Sequence, residues 1–303
     1  MEINCKTIAF NDSGFPFLLK QIQNPPSQLF ILGELPVNLP EKDINDEQIK
    51  VAIVGTRKAT ATGKILARNL AKELSKHGII IVSGLAMGID TAAHEGCLDS
   101  DGKTIAVLAN GLDKVYPAQN SNLAKKIIST GGALISEYPL GTPSYPNQFL
   151  ERNRIVSGLC TATIVIEAPE RSGSLATARN ALEQGREVFV VPGPADHPNY
   201  KGSHQLIRDG ARLITSVEDI FEDLNIQTPN LKFKIFNEGL EVKNEVTDAN
   251  QLLILKVIQE AGKPISIDKI LETSKLDPQT ANQSLALLTI AGVIKETSGG
   301  YVI

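Results

Sequence analysis

The sequence predicts an α/β fold with a doubly wound, mostly parallel sheet, followed by a small helical domain. Two patterns lead to this expectation. Before residue 225, short apolar runs alternate with helical segments, and after residue 250 the apolar residues fall on helical spacing. Runs that are apolar throughout are typical of strands buried on both faces, and helices between them indicate βαβ crossovers. The runs are Val51–Val54, Ile79–Val82, Ile105–Leu108, Ala133–Ile135, Ala162–Ile166 and Val188–Val191.

Four parts of the chain differ in composition. Residues 1–48 are expected to form a short N-terminal leader packed beside the main domain, and residues 49–224 hold the apolar runs of a Rossmann-like domain. Residues 225–249 have no sustained apolar period and are rich in Asn, Lys and Glu, as is typical of a linker. Residues 250–303 are expected to form a separate small domain.

This last domain has the pattern of a winged helix, with three helices and a hairpin. Its third helix begins where Asp277 can cap the chain and Pro278 can occupy the first helical position. The first turn, 278–281, contains no Arg or Lys, so its affinity for a DNA groove should be poor. We therefore expect protein contact or regulation from this domain.

The sequence gives three indications of compartment. The N-terminus lacks a basic start feeding an apolar core, and no stretch approaches the roughly 18 apolar residues that a membrane span requires. Cys5, Cys97 and Cys160 are odd in number and far apart, which fits neither a disulfide framework nor a metal site. We expect a cytoplasmic protein with reduced thiols, no bound metal and no membrane contact.

The net charge of −4 argues against a nucleic-acid partner, because phosphate binding usually calls for a basic face. The charge is unevenly distributed, however. Residues 51–80 hold six Lys or Arg against a single acid, Glu73. This segment can supply a local positive patch, although the solvated face of a surface helix would have the same composition.

Glycine-bearing turns follow the first two predicted strands. Gly55-Thr56-Arg57 follows the first, and Ser83-Gly84, with Gly88 further on, follows the second. Such turns let a phosphate approach the backbone, and they meet at the switch point of a parallel sheet, where ligands bind. We expect Gly55, Ser83 and Gly84 to supply backbone donors. The alternative for Gly84 and Gly88 is that they only permit tight helix–strand packing.

A third loop, Ser172-Gly173-Ser174, follows a later strand, and Ser174 is expected to cap the helix after it. Arg152 and Arg154 precede this loop. Their planar guanidinium groups suit phosphate binding or base stacking, and a salt bridge is an equally ordinary role for either of them.

Several enzymatic motifs are missing from the sequence. The G-x-G-x-x-G fingerprint and the Walker A loop are absent, so we expect no NAD, FAD or other cofactor. Neither H-E-x-x-H nor G-x-S-x-G occurs, so we expect no catalytic residues and no enzyme activity. Asp90 and His94 lie four residues apart, and we interpret them as a helix-cap and surface pair, with Asp90 helping to close the binding turn.

A series of short motifs occurs in a fixed order between residues 10 and 224. They are Val54–Arg57, Ser83–Asp90, Gly111–Asp113, Tyr116–Pro117, Ser136–Pro139, Arg152–Leu159, Arg171–Leu175 and Val191–Gly193. Each string is weak alone, but in number and order they resemble the DNA-processing protein A family, also called DprA or Smf. A winged-helix tail is also common in that family.

The resemblance implies a bacterial protein that binds single-stranded DNA without sequence preference, forms a homodimer and loads RecA onto the strand in natural transformation and recombination. It implies that Arg57, Ser83 and Gly84 line the DNA pocket, with Arg152 and Arg154 nearby.

The resemblance also implies a dimer surface in segment 203–213, where Leu206, Ile207 and Leu213 offer apolar contacts. The chain departs from the family at two positions. Ala118 stands where a basic residue is usual, so one phosphate contact is lost or moved to Lys114, and Leu150 stands where proline is common.

The sequence is also compatible with two other functions. Related Rossmann-like phosphoribohydrolases cleave nucleoside monophosphates with a glutamate on the helix after a glycine loop, a position that Glu183 would occupy here. The P-G-G-x-G-T-x-x-E pattern of those enzymes is absent. A regulatory nucleotide sensor would bind a mononucleotide tightly and an oligonucleotide no better.

Overall fold

The computed structural model describes residues 5–35, 49–226, 249–262, 264–290, 294–297 and 299–302. The chain forms two compact units, residues 1–235 and 236–303. The predicted linker, 225–249, lies outside the described residues except at its ends, as do residues 1–4 and 36–48 of the predicted leader. The domain boundaries stay predictions.

Nine strands among the described residues form one sheet. From one edge to the other the order is β1-β2-β6-β5-β4-β3-β7-β8-β9. Strands β3 to β9 run parallel, while β2 is antiparallel to β6 and β1 is antiparallel to β2. The strands are β1 (Lys6–Ala9), β2 (Gln28–Gly33), β3 (Lys50–Val54), β4 (Ile80–Ser83), β5 (Thr104–Val107), β6 (Ala133–Ser136), β7 (Ala162–Val165), β8 (Glu187–Val190) and β9 (Arg212–Leu213). The predicted α/β fold with a mostly parallel sheet is confirmed.

The N-terminal segment is part of this sheet. Strand β2 pairs with β6 in the register Ile31↔Ile135, and β1 then pairs with β2. The side chains of Leu29 and Ile31 are buried in the core, which explains why the segment docks here. The segment predicted as a leader beside the domain therefore supplies two of its strands.

Helices cover both faces of the sheet, as a doubly wound fold requires. Helices α2, α3 and α8 contribute to the core on one face, and α1, α5, α6 and α7 contribute to the core on the other. Their bounds are α1 (Phe17–Lys20), α2 (Ala61–Lys76), α3 (Ile89–Leu98), α4 (Ser121–Ser129), α5 (Pro146–Gly158), α6 (Gly173–Glu183), α7 (Lys201–Arg208) and α8 (Val217–Asp223).

The C-terminal unit contains α9 (Ala249–Ala261), α10 (Ile267–Ser274), α11 (Pro278–Ile290) and a hairpin of β10 (Lys295–Thr297) with β11 (Gly300–Val302). Asp277 caps α11 as predicted, because its Oδ1 accepts from the N–H groups of Gln279 and Thr280 at 3.1 and 3.0 Å. Three helices and a hairpin are present in the described residues. Their assignment as a winged helix stays a prediction.

Two remaining expectations concern membranes and thiols. No helix in the described part of the chain combines the length and apolar character needed to cross a bilayer. All three cysteines are free thiols; Cys97 and Cys160 are buried, while Cys5 is half-buried.

Helices α2 and α3 approach each other closely at Gly96. A Cβ on Gly96 would lie 2.0 Å from the carbonyl oxygen of Arg68, which is much shorter than any real contact. Beside this crossing, Arg68 forms ion pairs with Glu95 of α3 and with Asp99, the C-cap of that helix. The glycine therefore allows α2 and α3 to pack backbone against backbone.

We predict that Gly96→Ala lowers the free energy of unfolding by about 1–3 kcal/mol, because the helices must separate to admit the methyl group. Alanine is a better helix former than glycine by about 1 kcal/mol, so helix propensity alone would stabilise the variant. A net loss of stability therefore measures the packing clash. Urea unfolding measures it. Gly14→Ala is the control, since its Cβ would meet only Ile8 Cδ1, at 3.8 Å. A Gly96→Ala protein as stable as the control contradicts the prediction.

Candidate functional site

A cleft lies at the point where the strand order reverses. From β3 the chain builds β4, β5 and β6 on one side, and it returns to place β7 on the other side. The loops after β3 and β7 therefore diverge, and they leave a cleft of about 500 Å³ at the carboxyl ends of these strands. The loop after β4 and helix α5 complete its walls.

The loop after β3 bonds its backbone groups within the protein and leaves its two cationic side chains exposed. The N–H of Thr56 donates to the carbonyl of Glu167 at 2.7 Å, and the Thr56 hydroxyl accepts from the N–H of Lys58 at 3.2 Å. A Cβ on Gly55 would lie 2.5 Å from Ile89 Cγ1, so only glycine fits there. Arg57 and Lys58 are exposed at the cleft.

The loop after β4 uses its polar groups within the protein. The Ser83 hydroxyl donates to the carbonyl of Ile53 at 2.7 Å, and the N–H of Gly84 donates to Asp90 Oδ2 at 3.1 Å. Gly88 has φ +86°, and a Cβ there would lie 2.4 Å from the carbonyl oxygen of Thr56. The expectation that Gly84 offers a free donor is therefore wrong, because Asp90 accepts its N–H. Gly88 allows the backbone to pass close to the loop after β3.

Arg152 forms the floor of the cleft. Its side chain is buried and donates to the carbonyl of Gly84 at 2.7 Å and to the carbonyl of Val107. Burial lowers the pKa of Arg152 to about 10, while the charge of Asp90 acts in the opposite direction. A Cβ on Gly84 would lie 2.5 Å from the guanidinium, so the glycine makes room for it. Arg152 thus supports the loop after β4.

Asp90, which lines the cleft, and His94, which does not, are both buried. The N–H groups of Gly84 and Ala86 donate to Asp90. Burial raises the pKa of Asp90, and the charge of Arg152 acts in the opposite direction. His94 Nδ1 lies 2.7 Å from the Thr104 hydroxyl, and its pKa is lowered to about 3 by burial and then by the charge of Arg152. The interpretation of these residues as a surface pair is wrong, because His94 is fully buried and Asp90 is only 7% exposed. The expectation that Asp90 helps to close the turn after β4 agrees with its bonds to Gly84 and Ala86.

The loop after β7 begins α6. Ser172, rather than the predicted Ser174, is the N-cap: its hydroxyl accepts from the N–H of Ser174 at 3.4 Å. The two hydroxyls lie 2.7 Å apart, and the carbonyl of Gly173 accepts from the Asn153 side chain at 3.2 Å. Arg171, next to this loop, is exposed at the cleft.

Two aromatic side chains at the cleft escaped the sequence predictions. Phe149 of α5 and Tyr116 lie with ring centroids 5.4 Å apart, and the guanidinium carbon of Arg57 lies 5.0 Å from the Phe149 centroid. That distance is within the range of a cation–π contact. In the sequence, Phe149 had no signal that separates it from a core residue of a helix. The cleft thus presents aromatic surface and positive charge side by side.

Glu167, also missed, joins three loops at one edge of the cleft. This fully buried carboxylate accepts from the N–H of Thr60 at 3.0 Å, from the Thr60 hydroxyl, from Asn199 Nδ2 at 2.9 Å and from the Tyr200 hydroxyl at 3.2 Å. Thr60 is the N-cap of α2, and residues 198–200 form a 3-10 turn after β8. The sequence offered only a glutamate at the end of a strand.

The structure sorts the twelve predicted binding residues into two groups. Eight line the cleft: Gly55, Thr56, Arg57, Gly84, Arg152, Ser172, Gly173 and Ser174. Four do not: Ser83, Gly88, Lys114 and Arg154. Lys114 is exposed elsewhere, and Arg154 is paired with Glu137 on another side of α5. In the part of the chain that the structure describes, no three His, Cys, Asp or Glu side chains group closely enough to hold a metal ion.

The predicted dimer residues differ in their exposure. Leu206 is 5% exposed and belongs to the hydrophobic core, so its side chain is committed to the fold. Ile207 is partly buried against the same core, while Leu213 is 47% exposed. Of the three, Leu213 has the most surface free for a partner.

A sequence model of the DNA recombination-mediator protein A family matches residues 6–225. The chain belongs to this family. It is 38% identical to Protein Smf of Escherichia coli K12 over 304 residues, which cover 95% of this chain and 74% of the relative. It is 43% identical to DNA processing protein DprA of Bacillus subtilis over 223 residues, which cover 74% of this chain and 72% of the relative. The predicted family is confirmed.

Two solved structures of family members share the fold. DNA processing protein A from Streptococcus pneumoniae aligns with a TM-score of 0.65 and 38% identity, covering 75% of this chain and 76% of its own. DNA processing protein A from Helicobacter pylori, solved to study its single-stranded DNA binding mode, aligns with a TM-score of 0.62 and 30% identity. That match covers 74% of this chain and 97% of the other.

We predict that His94 makes stability fall with acid. Its folded pKa of about 3 lies below the unfolded value of about 6.5, so its contribution is full above pH 6.5 and is lost as the pH falls below it. Relative to His94→Asn, the wild-type free energy of unfolding should drop by about 1 kcal/mol between pH 6 and pH 5. Urea titrations at each pH measure this difference, in which other titrating groups cancel. Equal pH slopes for the two proteins would refute it.

Proposed function

We propose that this chain binds single-stranded DNA in the cleft without sequence preference, as a non-catalytic protein, and loads RecA onto the strand in transformation and recombination. The observation that carries the DNA-binding part is the arrangement of Arg57 over Phe149 beside Tyr116. Bases of any identity have a face that can stack on an aromatic ring, so such a surface binds a strand regardless of sequence.

The charges at the cleft support a polynucleotide ligand. Arg57, Lys58 and Arg171 are exposed there, and each can neutralise a phosphate. This local concentration of cations supports DNA binding despite the net charge of −4, because a phosphate chain interacts mainly with the charges near it. Arg152, being buried under Gly84, adds positive potential from below without a direct contact.

The relatives support the same ligand. The Helicobacter pylori protein binds single-stranded DNA and is 30% identical to this chain over most of its own length. RecA loading, the homodimer and cytoplasmic location rest on membership of the family and on the resemblance described above.

The hydrolase alternative is less well supported. Glu183 is the last residue of α6, about 15 Å along the helix axis from the loop that lines the cleft, and it is exposed. A carboxylate there cannot reach a sugar bound at the cleft. The acid that does line the cleft, Asp90, accepts two backbone N–H groups and is occupied with holding the loop after β4.

We predict that Arg57→Ala weakens binding of single-stranded DNA roughly tenfold for all sequences, because one phosphate contact is lost. The slope of log K against log salt should fall by about one. Fluorescence anisotropy with labelled oligo-dT at several salt concentrations measures both quantities. Lys125→Ala, which removes an exposed charge of α4 outside the cleft, is the control.

The same assay separates the competing functions. Duplex DNA of matched length should compete poorly, and a free mononucleotide should compete only at far higher concentration than the oligonucleotide. Equal competition by the mononucleotide would favour the sensor, and release of free base from it would favour the hydrolase. A wild-type protein that ignores oligo-dT at low ionic strength refutes the proposed function.

We predict a different signature for Phe149→Ala. Loss of a stacked base should weaken binding by about 1–3 kcal/mol, while the salt slope stays unchanged because no cation is removed. Phe149→Tyr keeps the ring and should bind like the wild type. Phe17→Ala removes an exposed phenylalanine from α1, outside the cleft, and serves as the control. If Phe149→Ala binds as well as Phe17→Ala, the ring takes no part in binding.

A further inference from the structure

We propose that Asn199 is a positioning residue of the cleft, which holds the loop carrying Arg57 and Lys58 in its binding conformation. The inference rests on the proposed single-stranded DNA binding. It concerns a residue that comes from a different strand connection, 141 positions along the chain from Lys58.

One side-chain amide makes both contacts. Asn199 Nδ2 donates to the carbonyl of Lys58 at 3.1 Å and to Glu167 Oε2 at 2.9 Å. The residue itself is held in the 3-10 turn after β8, where its N–H donates to His197 Nδ1 at 3.1 Å. Its neighbour Tyr200 is buried and donates to the other oxygen of Glu167. These contacts fix the position of the turn that carries the Asn199 amide, independently of the contact with the loop.

The contact falls at the middle of the loop. The ends of the loop are anchored at Glu167, through the N–H of Thr56 on its carbonyl and the N–H of Thr60 on its carboxylate. Arg57 and Lys58 lie between these anchors, and the Lys58 carbonyl is tied to Asn199. A loop held at its centre keeps the two cations at the cleft and lowers the entropy that binding must remove.

The carboxylate of Glu167 is held in place by its surroundings. A Cβ on Gly63 of α2 would lie 2.5 Å from its carboxyl group, so the carboxylate is packed directly against the helix backbone. The donors of Thr60 and Tyr200 fill its remaining directions. Asn199 thus links the loop to a rigid point of the structure.

This role gives a signature that differs from a phosphate contact. Asn199 carries no charge and does not line the cleft. Its removal leaves every cation in place, so the number of phosphates neutralised, and with it the salt slope, should not change. The affinity should fall because the loop must be ordered on binding. Loss of Arg57, in contrast, lowers the slope.

The experiment uses the full chain and labelled oligo-dT. Asn199→Ala should bind about 5- to 20-fold more weakly than wild type at each salt concentration, with an unchanged slope. Asn199→Asp keeps the shape of the side chain but has no donor and faces the Glu167 carboxylate, so it should bind no better than Asn199→Ala. Asn122→Ala, in an exposed position of α4, is the matched control and should bind like the wild type.

Hydrogen exchange tests the hold on the loop without DNA. In Asn199→Ala, the amides of Lys58 and Thr60 should exchange about tenfold faster, while amides of the β3 and β7 strands stay protected. If wild type binds oligo-dT and Asn199→Ala or Asn199→Asp binds equally well, the inference is overturned. Unchanged exchange at Lys58 and Thr60 overturns it even if the affinity falls. If wild type does not bind oligo-dT, the proposed function fails, and the exchange measurement still decides whether Asn199 holds the loop.

Discussion

The reversal of strand order at β3 is the constraint on which the binding cleft depends. Right-handed crossovers send the chain from β3 toward β4 and from β7 toward β8, so the loops after these two neighbouring strands leave in opposite directions. Apart from Val54 at the end of β3, the described residues that line the gap lie outside the strands. The groups that face a ligand therefore come from loops and from α5, including Arg57, Phe149 and Arg171.

Buried polar groups beneath the cleft keep these loops in place. Arg152, Asp90 and Glu167 are almost completely buried, and each bonds to the backbone of at least one loop. Burying a charge costs free energy unless its partners are present. Removal of one partner would therefore leave a buried charge without compensation. The buried polar interactions make these loops rigid, while the apolar cores on both faces of the sheet supply the stability of the fold.

The sequence predicted the fold better than it predicted the use of each site residue. Apolar runs such as Val51–Val54 identify buried strands because both faces of such a strand are covered. The edge strand Lys6–Ala9 is mostly exposed and mixes polar with apolar residues, so it has no such signal. Three of the glycines that the turns suggested, Gly55, Gly84 and Gly173, line the cleft, and Asp90 was expected to close the turn after β4. Local sequence does not reveal that Arg152 lies under Gly84. The contact between Arg152 and Gly84 spans 68 residues of the chain, and the role of Phe149 likewise depends on its tertiary neighbours.

The two outer strands of the sheet have a consequence for self-association. A long open edge offers unpaired backbone groups on which another chain can add a strand and aggregate. Here one edge is β1, with four residues beginning at Lys6, and the other is β9, with two residues, where Arg212 is engaged by Glu187 and Asp223. Neither edge is long enough to template a continuous intermolecular sheet. Association of copies through one continuous shared sheet is therefore disfavoured, whereas exposed side chains such as Leu213 stay available for contact.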